Sequence, residues 1–449
     1  SVHVVRKKSI CYGTLMINSF FKINLILLII FVCILIVLSE KTFAFDCTSV
    51  QKYSQLWNYN NCGGDPNKNK KETKNNPWKG YPYNSGEIPK DAKPDYKILK
   101  HYLIKYISYG NPSGKRVAIK IKKKKNKIKE FKFNLKEDNF VIEQLNETAL
   151  LSYLMYENGE VVIDEITPKD RFGKIFKNKT KYVSNSVGKS IISYIAGHAI
   201  CRGYIDSINH KLNDWEILEN TLYYNQPIIN VLNMASGDYE YYERENFKDS
   251  ERWPNGHPVQ SILNKELKNS KASKNKKYHY ANMNTNIIAS YVLYKMGHKE
   301  FKKMLNEMFV DKIGIEYDVV MFKQDNTKKN QDSLTYGMFL TRYDYLRVAV
   351  SMLNDWNNNS CEGKYLKSLY ENRIDKGFRP KDNTQGMSNS NHYAGQFYVG
   401  ISGKGDIPIF LMSGFGGQNI AIDFENNKIT AIMAIHRNYD WMKLVHSKF

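Results

Sequence analysis

The pattern of hydrophobic and polar positions along this chain has two periods, one typical of helices and one typical of strands. Between Ser186 and Gly203 apolar residues recur every three or four positions, which predicts a buried helix that ends at the glycine. Four runs near the C-terminus have the pattern of β-strands, at 394–401, 408–412, 418–424 and 428–436. An earlier segment, 149–163, is typical of a hairpin with its turn at Asn158 and Gly159.

The order of these elements predicts an α+β fold. Strands lie on both sides of a long middle segment, which contains helical runs such as 286–296. We therefore expect an antiparallel sheet flanked by helices, with an inserted helical subdomain. Upstream, residues 95–140 are predicted to form a small basic β-hairpin region. Residues 63–94, rich in Asn, Lys, Pro and Gly, are predicted to form a linker or extended wrap.

The N-terminal residues have the pattern of an export signal. A basic stretch is followed by an apolar run at 23–38 and then by Thr42-Phe43-Ala44, a small-x-Ala cleavage site. The run fits either a cleaved signal peptide or a signal-anchor, and its length does not distinguish the two. Both place the rest of the chain outside the cytoplasm, in the periplasm or anchored to the membrane. The predicted parts are a signal or anchor at 1–44, an N-terminal extension at 45–140 and a main domain at 141–449.

The composition is that of a packed globular protein with an excess of basic residues. The chain has 449 residues, of which 42% are hydrophobic, and its net charge is +21. Part of the charge is concentrated at 120–132, a run that could bind anionic lipid, cell-wall polymer or nucleic acid. A solvated hairpin edge, guarded by lysines against edge pairing, is the simpler interpretation. No nucleic-acid-binding motif accompanies the run, so no nucleic-acid partner is expected.

Cysteine and histidine positions predict no metal site and no cofactor. None of the six cysteines and ten histidines has the spacing of metal ligands. Cys47 and Cys62 follow the cleavage site and could pair in an oxidising compartment. Cys201 falls on the apolar face of the predicted helix and is expected to be a core residue. Cys361 lies in a polar loop and is expected to be unpaired.

Ser186 and Lys189 are candidate catalytic residues because they lie one turn apart on one helix face. A desolvated lysine can be neutral enough to take a serine proton, and a helix N-terminus favours the negative charge that develops during attack. Ser-x-x-Lys also occurs at Ser19, Ser49 and Ser273, but none of those serines begins an apolar helix. The alternative is a serine that caps a core helix, with a solvated lysine.

Two further segments could complete such a site. Tyr280 could carry protons if it lies beside the lysine, and Asn282 could hold the lysine or a substrate amide. Ser413, Gly414 and Phe415 open a glycine-rich turn, where a backbone N–H could stabilise an oxyanion. A surface turn and an ordinary β-turn are the alternative interpretations of these two segments.

Taken together, these motifs resemble the penicillin-recognising serine hydrolases with a β-lactamase-like fold. The closest resemblance is to the class C β-lactamase-like branch and its 6-aminohexanoate-dimer hydrolases. It extends over roughly residues 145–438, in order and with plausible spacing. The segments that carry it, besides the catalytic motifs, are at 149–163, 228–238, 336–346 and 414–418.

The resemblance implies a role for each candidate residue. Ser186 would be the acylated nucleophile, Lys189 its base and Tyr280 the relay that protonates the leaving group. Asn282 would orient the lysine and the substrate. The main-chain N–H groups of Ser186 and Phe415 would form the oxyanion hole.

One departure from the family pattern bears on the substrate. Where β-lactamases and penicillin-binding proteins carry Lys-Thr-Gly, this chain has Met412-Ser413-Gly414. The lysine that helps to receive a β-lactam carboxylate is therefore absent, which favours a small amide or ester substrate. The alternatives are a β-lactamase or D,D-peptidase acting on cell-wall peptides, and a non-catalytic binding protein of the same fold.

Overall fold

The computed structural model describes residues 107–108, 117–238, 259–265, 267–322, 333–377, 389–435 and 439–449. The predicted export signal and the cysteines Cys47 and Cys62 lie outside these residues. No helix within the described ranges is both long and apolar enough to cross a membrane.

Strands and helices are numbered separately in chain order. The strands are β1 (Ile107–Ser108), β2 (Val117–Ile121), β3 (Lys132–Phe133), β4 (Leu150–Glu157), β5 (Glu160–Ile166), β6 (Lys181–Val183), β7 (Val319–Phe322), β8 (Met338–Thr341), β9 (Ile374–Asp375), β10 (Ser390–Ala394), β11 (Phe397–Ile401), β12 (Ile409–Ser413), β13 (Gln418–Asp423) and β14 (Lys428–Ala434). The α-helices are α1 (Asn139–Glu147), α2 (Val187–Cys201), α3 (Ile228–Leu232), α4 (Val259–Lys265), α5 (Asn282–Asn306), α6 (Arg342–Asn357), α7 (Cys361–Glu371) and α8 (Met442–Lys448).

The described strands form two sheets. The larger has nine strands in the order β3-β5-β4-β14-β13-β12-β11-β10-β9, and the smaller has five in the order β1-β6-β8-β7-β2. Every pairing is antiparallel except that of β3 with β5. The predicted α+β class is confirmed. The smaller sheet was not predicted, because its strands are two to five residues long and come from distant parts of the chain.

The predicted hairpin is present as β4 and β5. Asn158 and Gly159 both have positive φ angles, 49° and 96°, as the tight turn between two twisted strands requires. On its other side β4 pairs with β14, from Lys428 opposite Glu157 onward. The middle of the large sheet is thus built from strands that are far apart in sequence.

The predicted basic hairpin at 95–140 is wrong in its described part. β2 pairs with β7, and β3 pairs with β5, so neither strand has the other as its partner. Both lie at the edge of a sheet. A hydrophobic pattern indicates that a segment is a strand, but it does not reveal which strand lies beside it.

The prediction for Cys201 and Cys361 is also wrong. These two residues form a disulfide, with their Cα atoms 5.7 Å apart. Cys201 is the last residue of α2, and Cys361 is the first residue of α7, which packs against α2. The separation of 160 residues hides this proximity in the sequence.

Helix α2 is buried along almost its whole length, from Val187 to Ala199. It packs against α5 and α7 and contacts β12 and β13 of the large sheet. A helix that is apolar on most sides is stable only where its neighbours cover it. This packing brings the N-terminus of α2 beside the turn that joins β12 to β13.

Candidate active site

The start of α2 is held in an unusual backbone conformation. Asn185 has a φ angle of 44°, in the left-handed region. Ser186 is the next residue and occupies the N-cap position, immediately before the first helical residue, Val187. Ser184 anchors this turn, because its N–H donates to the Met338 carbonyl at 2.7 Å and its Oγ donates to the Tyr336 carbonyl at 3.2 Å. The Ser186 side chain makes no capping hydrogen bond to the helix. The alternative of a serine that serves only as an N-cap is therefore not what the structure contains.

Lys189 points at the nucleophile candidate from one turn along the helix. Its Nζ lies 3.2 Å from Ser186 Oγ, and its side chain is 1% exposed. Burial holds the pKa of this amine well below its usual range, because a charged group is poorly solvated there. A buried lysine of this kind can be neutral, and the same contact then lets Ser186 donate its proton to Nζ.

Tyr280 also contacts Ser186. Its hydroxyl donates a 2.8 Å hydrogen bond to Ser186 Oγ. Desolvation raises the pKa of Tyr280 to about 12, although hydrogen bonds with Ser186 and Tyr398 oppose the shift. The phenol therefore keeps its proton at neutral pH. Ser186 Oγ is held between an amine that can accept a proton and a hydroxyl that can deliver one.

The role that the resemblance implies for Asn282, orienting the lysine and the substrate, stays a prediction. Asn282 is the first residue of α5, and its side chain is buried. Nowhere in the described part of the chain does a hydrogen bond join Asn282 to Lys189 or Ser186. The asparagine two residues later, Asn284, instead donates to the buried carboxylate of Asp238 at 2.9 Å.

The glycine-rich turn lies directly beside the start of α2. A Cβ on Gly414 would be 2.9 Å from the Ser184 carbonyl oxygen, so this approach requires a glycine. Gln418 Oε1 accepts from Asn185 at 3.3 Å, which joins the two turns. The Gly414 N–H is used within the turn, since it donates to the Gln418 carbonyl at 2.7 Å. The next N–H along the turn belongs to Phe415.

The Ser413 hydroxyl is used in a hydrogen bond between neighbouring strands. Ser413 Oγ donates to Asn419 Oδ1 at 2.7 Å, and the residue is buried. Met412, which the sequence resemblance aligns with the lysine of Lys-Thr-Gly, is 1% exposed in the large sheet. Neither side chain offers a positive charge to a substrate.

Comparison with solved structures identifies this arrangement of elements. A Bacillus anthracis protein provisionally named a 6-aminohexanoate-dimer hydrolase resembles the chain with a TM-score of 0.55 and 16% sequence identity. The similarity covers 80% of this chain and 94% of that protein. The chain has the serine β-lactamase-like fold. The resemblance predicted from the sequence is confirmed for the fold.

Two other structures with the β-lactamase-like fold resemble the chain less strongly. A protein from Bacteroides dorei, provisionally named a β-lactamase, has a TM-score of 0.49 and 15% identity, over 67% of this chain and 89% of its own. A penicillin-binding protein from Bacillus halodurans has a TM-score of 0.48 and 13% identity, over 70% of this chain and 100% of its own. No protein-family model and no curated protein matches the sequence.

Two tyrosines beside this candidate site were given no role in the sequence analysis. Lys189 Nζ lies 3.4 Å from the centre of the Tyr336 ring, and Tyr398 on β11 hydrogen-bonds with Tyr280. Tyr336 opens the segment 336–346, which carried part of the resemblance, so its position was a usable signal. Tyr398 had none, since the chain contains 32 tyrosines.

The described residues contain no group of three or more His, Cys, Asp or Glu side chains that could hold a metal ion. The Ser186 N–H makes no hydrogen bond to any other described residue and lies at the N-terminus of α2. An N–H in this position can stabilise the negative oxygen of a tetrahedral intermediate.

Proposed function

We propose that the protein is an exported serine hydrolase that cleaves a small amide or ester through an acyl-enzyme on Ser186. The observation that carries this proposal is the position of Ser186 Oγ, 3.2 Å from Lys189 Nζ and 2.8 Å from the Tyr280 hydroxyl. These three side chains supply the nucleophile, the base and the acid that acyl transfer requires.

The proposed reaction begins when Ser186 Oγ attacks the substrate carbonyl carbon. As the new C–O bond forms, the serine proton moves to Lys189 Nζ. The main-chain N–H groups of Ser186 and Phe415 receive the oxyanion. When the C–N or C–O bond of the substrate breaks, Tyr280 gives its proton to the leaving group and is reprotonated from Lys189. Water then hydrolyses the ester on Ser186 by the same steps in reverse.

Preference for an amide or ester without a neighbouring carboxylate is supported by Met412 on β12, the strand that leads into the glycine-rich turn. Met412 is apolar and buried where the family has a lysine. A carboxylate bound there would be poorly paired, and leaving a charge unpaired in a closed site is costly. Cleavage of β-lactams or cell-wall peptides is therefore the weaker alternative.

Export is supported by the disulfide between Cys201 and Cys361. Structural disulfides persist in secreted and periplasmic proteins and are rare in a reducing cytosol. The apolar run at 23–38 would supply the signal or the membrane anchor. The proposed location is the periplasm or the outer face of a membrane.

Labelling with a fluorophosphonate, followed by mass spectrometry of the adduct, tests the nucleophile. We expect one adduct on Ser186 and none on a Ser186→Ala variant. Ser190→Ala is a matched control, because Ser190 is buried on the same helix and donates to the Gln396 carbonyl at 2.7 Å. That variant should keep the label. A folded wild-type protein that takes up no label would favour a non-catalytic binding protein.

A further inference from the structure

Lys189 has an aromatic partner where a buried amine usually has a carboxylate. Its Nζ lies 3.4 Å from the centre of the Tyr336 ring and 5.0 Å from the centre of the Tyr280 ring. Among the described residues no Asp or Glu interacts with this amine, and burial is the cause of its lowered pKa. A cation above an aromatic ring is attracted by the ring's quadrupole, most strongly where water is excluded.

The backbone of Tyr336 is fixed to the helix that carries Lys189. Its carbonyl oxygen accepts from Ser184 Oγ at 3.2 Å and lies only 1.9 Å from the place of a Cβ on Gly188. Ser184 Oγ in turn accepts from Met338 N–H at 3.0 Å. The ring therefore cannot move away from Lys189 by a shift of the main chain unless these contacts break.

The ring matters when Lys189 carries the proton of Ser186. The amine is then an ammonium, without a carboxylate beside it in the part of the chain that the structure describes. We propose that Tyr336 is a positioning residue whose ring face holds the ammonium form of Lys189 during acylation. This inference rests on the proposed function, in which Ser186 Oγ–H gives its proton to Nζ. The proton later leaves through Tyr280 to the leaving group, and Lys189 becomes neutral again.

Few titratable groups in the described part of the chain face this amine. They are Ser186 on its own helix, Tyr280 ahead of α5 and Tyr336 ahead of β8, with Tyr398 on β11 bonded to Tyr280. Burial raises the pKa of each of these tyrosines, so they stay neutral in the ordinary pH range. Removing the Tyr336 ring should therefore change the ionisation of Lys189 and leave the other tyrosines neutral in the ordinary pH range. By the usual strength of a desolvated cation–π contact, the lysine pKa should fall by about one unit.

The first test compares pH profiles of kcat/KM for ester hydrolysis in the full chain. Tyr336→Phe keeps the ring and should keep the acid limb of the wild type. Tyr336→Leu should move that limb to lower pH by about one unit and reduce kcat, because the ammonium loses its partner. If the leucine variant does not fold, Tyr336→Met removes the ring with a longer side chain. An acid limb that stays in place without the ring, or that moves equally in the phenylalanine variant, would overturn the proposal.

The second test measures the pKa of Lys189 directly, without a substrate. Protein labelled with ε-¹³C-lysine is titrated by NMR, and Lys189→Met assigns the signal. A lower pKa in Tyr336→Leu, with an unchanged pKa in Tyr336→Phe, supports the proposal, and an unchanged pKa in both overturns it. Fluorophosphonate labelling of the same samples separates the two ideas. An unlabelled wild type contradicts the proposed function, whereas normal labelling with an unshifted lysine contradicts only the role of Tyr336.

Discussion

Gly188 and Tyr336 approach each other so closely that no side chain fits between them. A Cβ on Gly188 would lie 1.9 Å from the Tyr336 carbonyl oxygen and 2.7 Å from Ser184 Oγ. Both neighbours belong to the contacts that hold Ser186 in place. The glycine between the serine and the lysine is therefore a requirement of the site's geometry.

Gly188→Ala should damage the site directly. Overpacking usually costs about 1–3 kcal/mol of stability, and here it would also displace the start of α2. We expect kcat/KM per folded molecule to fall at least about 100-fold, as misplaced reacting groups commonly cause. Gly197→Ala is the control, because its Cβ would meet the Tyr365 ring near the other end of the helix. That variant should lose stability, measured by urea unfolding, but keep its activity per folded molecule.

Lys189 and Tyr280 should behave as a coupled pair. Positioned acid and base groups usually contribute about 10²–10⁴-fold each. Lys189→Ala and Tyr280→Phe should each reduce kcat/KM by such a factor, and the double variant should be little worse than the poorer single one. Steady-state kinetics on a p-nitrophenyl ester measures all three. If the fold-loss of kcat/KM in the double variant equals the product of the two single losses, the two residues act independently.

The pH dependence of the reaction should follow Lys189. The base must be neutral, and burial lowers its pKa from 10.5, so kcat/KM should rise with pH and level off below the ordinary lysine range. Tyr280 should keep its proton until about pH 12, so it should cause no earlier decline. An acid limb centred at pH 10.5 or above would contradict a neutral, buried lysine.

The same lysine should affect stability with a definite sign. Between its lowered pKa and 10.5 the unfolded chain binds more protons than the folded one, so stability should rise with pH in that window. Urea unfolding at several pH values measures this rise. Lys189→Met should remove most of it while abolishing turnover.

The disulfide should stabilise the fold without taking part in the reaction. A bridge that closes a long loop typically contributes about 2–4 kcal/mol. Cys201→Ser and Cys361→Ser should each lower the free energy of unfolding by about that amount, and the double variant should be no worse than either. Unfolding with and without reductant measures the effect. If reductant leaves the unfolding curve of the wild-type protein unchanged, the result would contradict a stabilising disulfide between these two cysteines.

Substrate preference should follow the buried Met412. We expect kcat/KM for p-nitrophenyl acetate and for a 6-aminohexanoate dimer to exceed that for nitrocefin by orders of magnitude, because nitrocefin carries a carboxylate that would be poorly paired. All three substrates are tested against Ser186→Ala as the background. Nitrocefin as the best substrate would restore the β-lactamase alternative.

Features set by local spacing could be predicted from the sequence. Helical periodicity alone places Lys189 one turn from Ser186, and the Asn158-Gly159 pair specifies a tight turn. The α+β class follows from the order of the segments. The position of Tyr280 came from the family resemblance, since Tyr-x-Asn recurs elsewhere in this tyrosine-rich chain.

Features set by partners distant in sequence could not be predicted. The bridge between Cys201 and Cys361 depends on how α2 and α7 pack, and the partners of β2 and β3 depend on the completed sheets. The Tyr336 ring lies beside Lys189 because the Tyr336 backbone packs against Gly188. The spacing of residues in the sequence does not reveal this contact. The boundaries of the predicted parts at 44/45 and 140/141 stay predictions.

The pairing of β4 with β14 has a consequence for the order in which the protein assembles. β4 lies near the start of the described chain, yet one of its edges remains open until β14, near the other end, has been synthesised. Contacts between such distant segments form slowly, because closing a long loop costs conformational entropy before the strand pairing can stabilise the fold. Until then β4 and β5 expose apolar faces and an unpaired edge, which favours aggregation and binding by chaperones. The large sheet of this protein therefore cannot be completed until β14 has been synthesised, long after β4 and β5.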